Sequence, residues 1–292
     1  MCCRSPSLTQ AARLCVAVAG LVSGCTWLYG PAVELPKNPA LAVERPDIGS
    51  RALLRANQLE LELSSWGTEL QTAVDSLGTQ VVPAQSDAVR AAIRRTFAFQ
   101  RLFDRMATSV ASGWDAEAAR ELFAFYESWL GQRVLRAQAS RRDARSLANF
   151  QAWSAAFDLR AYSGARVAIL RRIDRALLTS QTAVWRNRAL LDAGLGALTE
   201  GVPSVEAEPF RALRARTAGE ESGLYPLAAE QVLRWNLYAF RWISDSDLER
   251  YAHFVESASA QWWVVTSVRA YRVTLGGAGE DLFQTLRPRS SF

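Results

Sequence analysis

The stretch Leu122-Phe123-Ala124-Phe125-Tyr126-Glu127-Ser128-Trp129-Leu130-Gly131-Gln132 decides the reading of this chain. Leu122, Phe125, Tyr126, Trp129 and Leu130 recur at i, i+3, i+4, i+7 and i+8, the spacing of a helix with one face against a core. Working outward, glycine and proline are sparse from Arg51 onward and β-branched alternation is scarce. Leu54, Leu59, Leu61 and Leu63 open one helix, and Val89, Ile93 and Phe97 mark another, with Ser86 or Asp87 as its cap. Phe150, Trp153 and Phe157 keep helical spacing, as do Leu170, Ile173 and Leu177. Leu191, Leu195 and Leu198 do the same before Gly201-Val202-Pro203 breaks the chain. The expected fold class is all-α, a helical bundle.

The same stretch has an echo 129 residues later, Phe254-Val255-Glu256-Ser257-Ala258-Ser259-Ala260-Gln261. Phe, Glu, Ser and Gln coincide. Each copy follows a similar helix start: Asp115 with Trp114 before it, and Ser244 with Asp247 as a capping box stapled by Ile243 and Leu248. The pattern predicts two divergent copies of a helical unit, with unit 1 over 51–200 and the remainder of unit 2 over 201–292.

Phe125-Tyr126-Glu127-Ser128 followed by Gly131-Gln132-Arg133 resembles the signature of an uncharacterised family of exported bacterial proteins, whose helical domain of unknown function carries Phe-Tyr-x-Ser-Pro-x-Gly-Gln-Lys. Trp129 stands where that family has proline, and the later copy keeps Phe254, Ser257 and Gln261 of the named positions. The family has no established chemistry, so the resemblance implies no catalytic residue. The physical reading is structural. Ser128 bonds back to a carbonyl and bends the helix, Gly131 admits a close approach, and Gln132 and Glu127 satisfy backbone groups that a kink exposes.

The N-terminus supplies an address. Arg4 and Arg13 precede an apolar run from Leu14 to Gly24, and no acidic residue occurs before Glu34. Eleven helical residues span about 16 Å, roughly half a hydrocarbon core, which fits an export signal better than a spanning helix. Val22-Ser23-Gly24-Cys25 resembles the lipobox of bacterial lipoproteins. The resemblance implies a signal peptide over 1–24, diacylglycerol on Cys25 and an acylated new amino group such as a palmitoylated one. Acyl chains contribute about 0.8 kcal/mol per buried CH₂, so attachment to the membrane is near-permanent. Thr26 in place of an aspartate favours the outer membrane, facing the periplasm. Pro31, Pro36, Pro39 and Pro46 predict a proline-rich tether through residue 50, after the lipidated Cys25.

Composition removes several chemistries. All four cysteines, Cys2, Cys3, Cys15 and Cys25, fall in the first 25 residues and His253 is the sole histidine. Beyond Cys25 no disulfide framework, thiol nucleophile or usual zinc pattern is open to the chain, and no phosphate-binding or dinucleotide loop occurs. No cofactor or metal is expected, nor a nucleic-acid partner. Arginines crowd Gln132 to Arg175, where Arg141, Arg142, Arg145, Arg171 and Arg172 are candidate contacts for an anionic lipid or glycan. Trp262-Trp263 places two rings on neighbouring faces of one helix, one of them expected to cover a groove or partner. The leading expectation is a non-enzymatic scaffold or adaptor with an envelope protein partner. The alternative is a peptidoglycan-acting enzyme using Glu127 or Glu256 as general acid. Mass spectrometry of the mature chain should find a lipid-modified Cys25 as its first residue; an unmodified thiol with the leader still attached would contradict the lipobox.

Overall fold

Pro39 and Pro46 mark helix starts, whereas Pro209 and Pro226 lie inside helices. Asn38 caps a short helix α1 (Pro39–Glu44), and Pro46 opens α2 (Pro46–Ala56). At a first helical position the missing N–H has no intrahelical partner to lose and φ is already near the helical value. The proline run therefore corrects the expectation of a tether reaching residue 50. Ala42, Val43, Ala52 and Leu53 are buried, so the chain enters the core from α1 onward. The computed structural model describes residues 35–36, 38–77, 83–139, 144–201, 204–217 and 221–287; Cys25 lies outside them.

The described residues are helical with no strand among them. After α2 come α3 (Leu59–Leu77), α4 (Pro83–Thr96), α5 (Phe99–Ala111), α6 (Ala116–Glu127) and α7 (Trp129–Ala139). A connecting helix α8 (Ala144–Ala155) leads to α9 (Gly164–Leu177), α10 (Thr179–Gly201), α11 (Ser204–Thr217), α12 (Glu221–Ala239), α13 (Asp245–Val255) and α14 (Ala258–Leu286). The all-α bundle read from periodicity is the fold. Two boundaries differ from the expectation. Leu54 and Leu59 sit on separate helices, because the chain turns at Gln58, whose φ of 59° leaves the right-handed helix. Ser86 and Asp87 fall inside α4, whose first residue is Pro83.

The helix order repeats. Within α2–α7, α2 packs on α3, α5 and α6, α3 on α4 and α5, and α6 on α7. Within α9–α14, α9 packs on α10, α12 and α13, α10 on α11 and α12, and α13 on α14. These packings coincide when α2 is laid on α9; the second series adds packings of α14 on α9 and α10 that the first does not share. The first corner of each series is made by the only described non-glycine residues with positive φ, Gln58 (59°) and Leu178 (52°). An L-residue there costs on the order of 1 kcal/mol, so the corner is held by its surroundings. The division expected at residue 200 falls inside the second series, at the end of α10.

The two series share one core. Its main cluster joins Leu53, Leu54, Trp66 and Phe103 of the first to Leu195, Leu198 and Tyr271 of the second. A smaller cluster packs Leu130 and Val134 of α7 against Leu170, Leu237, Phe240 and Leu248. At the second corner, buried Asp174 accepts hydrogen bonds from Ser180 N (2.9 Å) and Ser180 Oγ (2.6 Å), satisfying an N–H at the start of α10. Asp174→Ala is expected to cost about 1–2 kcal/mol in urea denaturation; an unchanged midpoint would mean the corner is held by packing alone.

Candidate functional site

Both motif copies build the same device, a helix break closed by its own side chains. α6 and α13 begin at matched caps: Asp115 accepts from Glu117 N and Ala118 N, and Ser244 accepts from Asp247 N. Each runs to the motif serine, where the backbone turns extended, with ψ of 155° at Ser128 and 158° at Ser257. Each serine then caps the next helix. Ser128 Oγ accepts from Gly131 N at 3.0 Å, and Ser257 Oγ from Ala260 N at 3.3 Å.

A break orphans the last carbonyls of the helix before it. Gln132 Nε2 donates to Tyr126 O (2.7 Å) and Gln261 Nε2 donates to Val255 O (2.6 Å), the same reach of six residues in both copies. Gly131 allows the tight fold-back in the first copy: a Cβ there would stand 2.0 Å from Phe125 O. Ser128 Oγ also donates to Phe125 O at 2.6 Å. Glu127 contributes nothing to the clamp and is exposed. The break also overturns the continuous apolar face, because Trp129 starts a new helix and is 60% exposed.

The two copies meet each other. The rings of Phe125 and Phe254 stack at 3.5 Å with an interplanar angle of 8°. Each clamp also holds the corner of its own series. Tyr126 OH donates to Asn57 Oδ1 (2.7 Å) and Gln58 Nε2 to Leu135 O (3.3 Å) at the first corner. Gln261 Nε2 donates to Ala176 O (2.9 Å) at the second.

Between the corners lies a cavity of about 720 Å³. Asn57 and Gln58 enter it from the first corner, Leu177 and Thr179 from the second, and Leu122, Tyr126, Tyr251 and Phe254 from the motif helices. Gln151 and Phe150 of α8 and Gln231 and Trp235 of α12 form another wall. Arg186 Nη1 donates to Glu62 Oε1 at 2.7 Å across the two series, and Tyr271 OH donates to the same oxygen. Arg186 and Glu62 are 14% and 19% exposed, so the pair is largely out of water. Burial pushes the Tyr271 hydroxyl well above the ordinary tyrosine range and the Glu62 carboxylate adds to the rise. Burial raises Tyr126 as well. The ring of Trp66 meets that of Tyr271 edge-on at 4.7 Å.

Glu256 is exposed on the outside and pairs with Arg172 at 2.9 Å, and that guanidinium holds its carboxyl below the usual range. A general acid needs the opposite shift. Arg172 also pairs with Glu249, so both its partners are the protein's own carboxylates, which corrects its reading as an open anion contact. Arg171 is exposed. Arg141, Arg142 and the side chain of Arg145 lie outside the described residues. His253 is exposed, 3.5 Å from Glu249. Trp262 donates to Gly113 O (3.1 Å) and packs edge-on against Trp114, and Trp263 is buried in the cavity wall, so neither ring is offered outward. Among the described residues the exposed tryptophans are Trp129 and Trp242, the latter 77% exposed. Arg133 joins them, lying 4.5 Å from the Trp129 ring and donating to Trp242 O.

Periodicity concealed Glu62, Arg186 and Tyr271. Glu62 alternates with leucines in Leu59-Glu60-Leu61-Glu62-Leu63 and reads as solvated, and its partner lies 124 residues away. No described helix is long and apolar enough to cross a membrane. Comparison with protein-family models, with curated proteins and with solved structures finds no match to this chain.

Gly131→Ala is expected to cost about 1–3 kcal/mol by overpacking at the fold-back, read by thermal denaturation; an unchanged midpoint would show that α7 is free to shift. Unfolded tyrosine ionises near pH 10, below folded Tyr271. The difference stabilises the fold below that pH and is lost as pH rises beyond it. Stability should therefore fall above about pH 10, and Tyr271→Phe should flatten the fall. A wild-type slope in the variant would exclude this tyrosine as the cause.

Proposed function

We propose that this chain is a lipid-anchored envelope protein whose helical body is a non-enzymatic binding scaffold. In this reading Cys25 carries the anchor in the outer membrane and the body faces the periplasm as an adaptor for an envelope protein. The body is a fused pair of divergent copies, α2–α7 and α9–α14. The repeated helix packings, the matched positive-φ corners and the two clamps support that descent.

One observation carries the non-enzymatic reading. The groups of the two motifs that resemble catalytic ones are spent on architecture or face outward: Ser128 and Ser257 cap helices, Gln132 and Gln261 clamp carbonyls, and Glu256 is a surface ion pair. The adaptor role is supported by Trp129 and Trp242. Large exposed rings beside Arg133 and Arg241 match the residue types that dominate binding surfaces.

Two measurements test this. Purified protein incubated with cell-wall sacculi should release no soluble fragments; release that disappears in Glu127→Gln or Glu256→Gln would replace the scaffold with an enzyme. A photo-crosslinking residue at position 129 or 242 should trap a discrete envelope protein that the same residue at exposed position 227 does not. Identical adducts at all three positions would remove the docking patch.

A further inference from the structure

The lining of the cavity between the two corners restricts the chemistry of what could enter it. Glu62 and Arg186 are the only carboxylate and guanidinium in its described wall, and they neutralise one another at 2.7 Å. The wall therefore offers no net charge to an ion. An anionic ligand would have to displace Glu62 from Arg186, leaving a mostly buried carboxylate unpaired, which is costly.

Plain hydrocarbon fits no better. Gln151 and Gln231 line the cavity and have no hydrogen-bond partner among the described residues, and Thr179 and Thr182 stand beside them. A carboxamide carries donors and an acceptor together, and covering one with alkyl chain leaves it unsatisfied at about 1–3 kcal/mol per group. The complement is a molecule bearing groups that both donate and accept, as hydroxyl and acetamido groups do. Aliphatic side chains such as Leu122, Leu147 and Val264 share the rest of the wall with aromatic rings. Trp235 and Phe254 are only partly buried although each already stacks on a phenylalanine, and Trp263 adds a buried indole. Flat apolar faces interleaved with neutral amides suit a ligand with apolar ring faces and a polar rim. The volume, about 720 Å³, lies in the range of small-ligand sites.

We infer that this cavity binds an uncharged oligosaccharide of N-acetylated sugar rings, with Trp235 and Phe254 against the ring faces and Gln151 and Gln231 on the hydroxyl and acetamido groups. The inference rests on the reading of the body as a non-enzymatic binding scaffold and names its ligand class.

The test is calorimetric titration of the full-length protein with a β-1,4-linked trimer of N-acetylglucosamine, with tryptophan fluorescence recorded in parallel and dodecanoate as the competing probe. The trimer should bind and perturb the emission, and dodecanoate should not. Gln231→Ala, which removes a partly buried side chain with no hydrogen-bond partner among the described residues, should keep the unfolding midpoint while weakening the trimer about tenfold, the equivalent of about 1.4 kcal/mol. Trp235→Ala should weaken it further. Absence of trimer binding, binding of dodecanoate instead, or wild-type affinity in Gln231→Ala and Trp235→Ala alike would overturn the ligand class. Chromatography of the recovered trimer separates the two readings: bound but intact sugar supports both. Bound and shortened sugar keeps the site and ends the non-enzymatic reading.

Discussion

A helix cannot stop inside a protein core without leaving carbonyls that have lost both their helical partners and water, and each such loss costs about 1–3 kcal/mol. This chain meets the constraint twice in one way. A serine turns the backbone extended and caps the following helix, and a glutamine one turn later reaches back to the carbonyl six residues before it. The rest of the architecture depends on those two closures. They set the angle at which α7 leaves α6 and α14 leaves α13, bring Phe125 onto Phe254, and lock the Gln58 and Leu178 corners in place.

The cavity follows from that arrangement. Two similar helical series packed through their clamped breaks leave space where their corners face one another, and the chain keeps Glu62, Arg186 and Tyr271 on its edge. A buried ion pair of this kind is weak evidence for stability, because well-packed apolar side chains often do as well. Removing one partner is another matter and typically costs 3–5 kcal/mol. The pair joins α3 to α10, so it ties the two series together at the point where a ligand would sit.

Much of this was legible in the residues, and the misses have physical causes. Asp115, Ser244, Ile243 and Leu248 announced two helix starts, and Ser128, Gly131 and Gln132 announced a bend in the first copy. The abruptness of the break was hidden because Trp129 keeps the i+7 spacing of an unbroken helix although it lies beyond the turn. Pro39 and Pro46 read as a tether because proline excludes a helix interior, yet it favours a helix start. Trp262 and Trp263 point to different neighbours on a helix surrounded on more than one side, so adjacent rings are both accommodated inside. The cavity itself assembles residues from positions 57 to 271, a juxtaposition that local periodicity does not encode.

The central claim is that the two clamped breaks act as one paired device, joined at the stacked phenylalanines. A double-mutant cycle on Phe125→Leu and Phe254→Leu, read by equilibrium urea denaturation, tests it most directly. A coupling of about 1 kcal/mol between the two positions is predicted, as for a stacked aromatic pair in contact. Strictly additive losses would show that the breaks are independent and that the repeated motif does not hold the two series together.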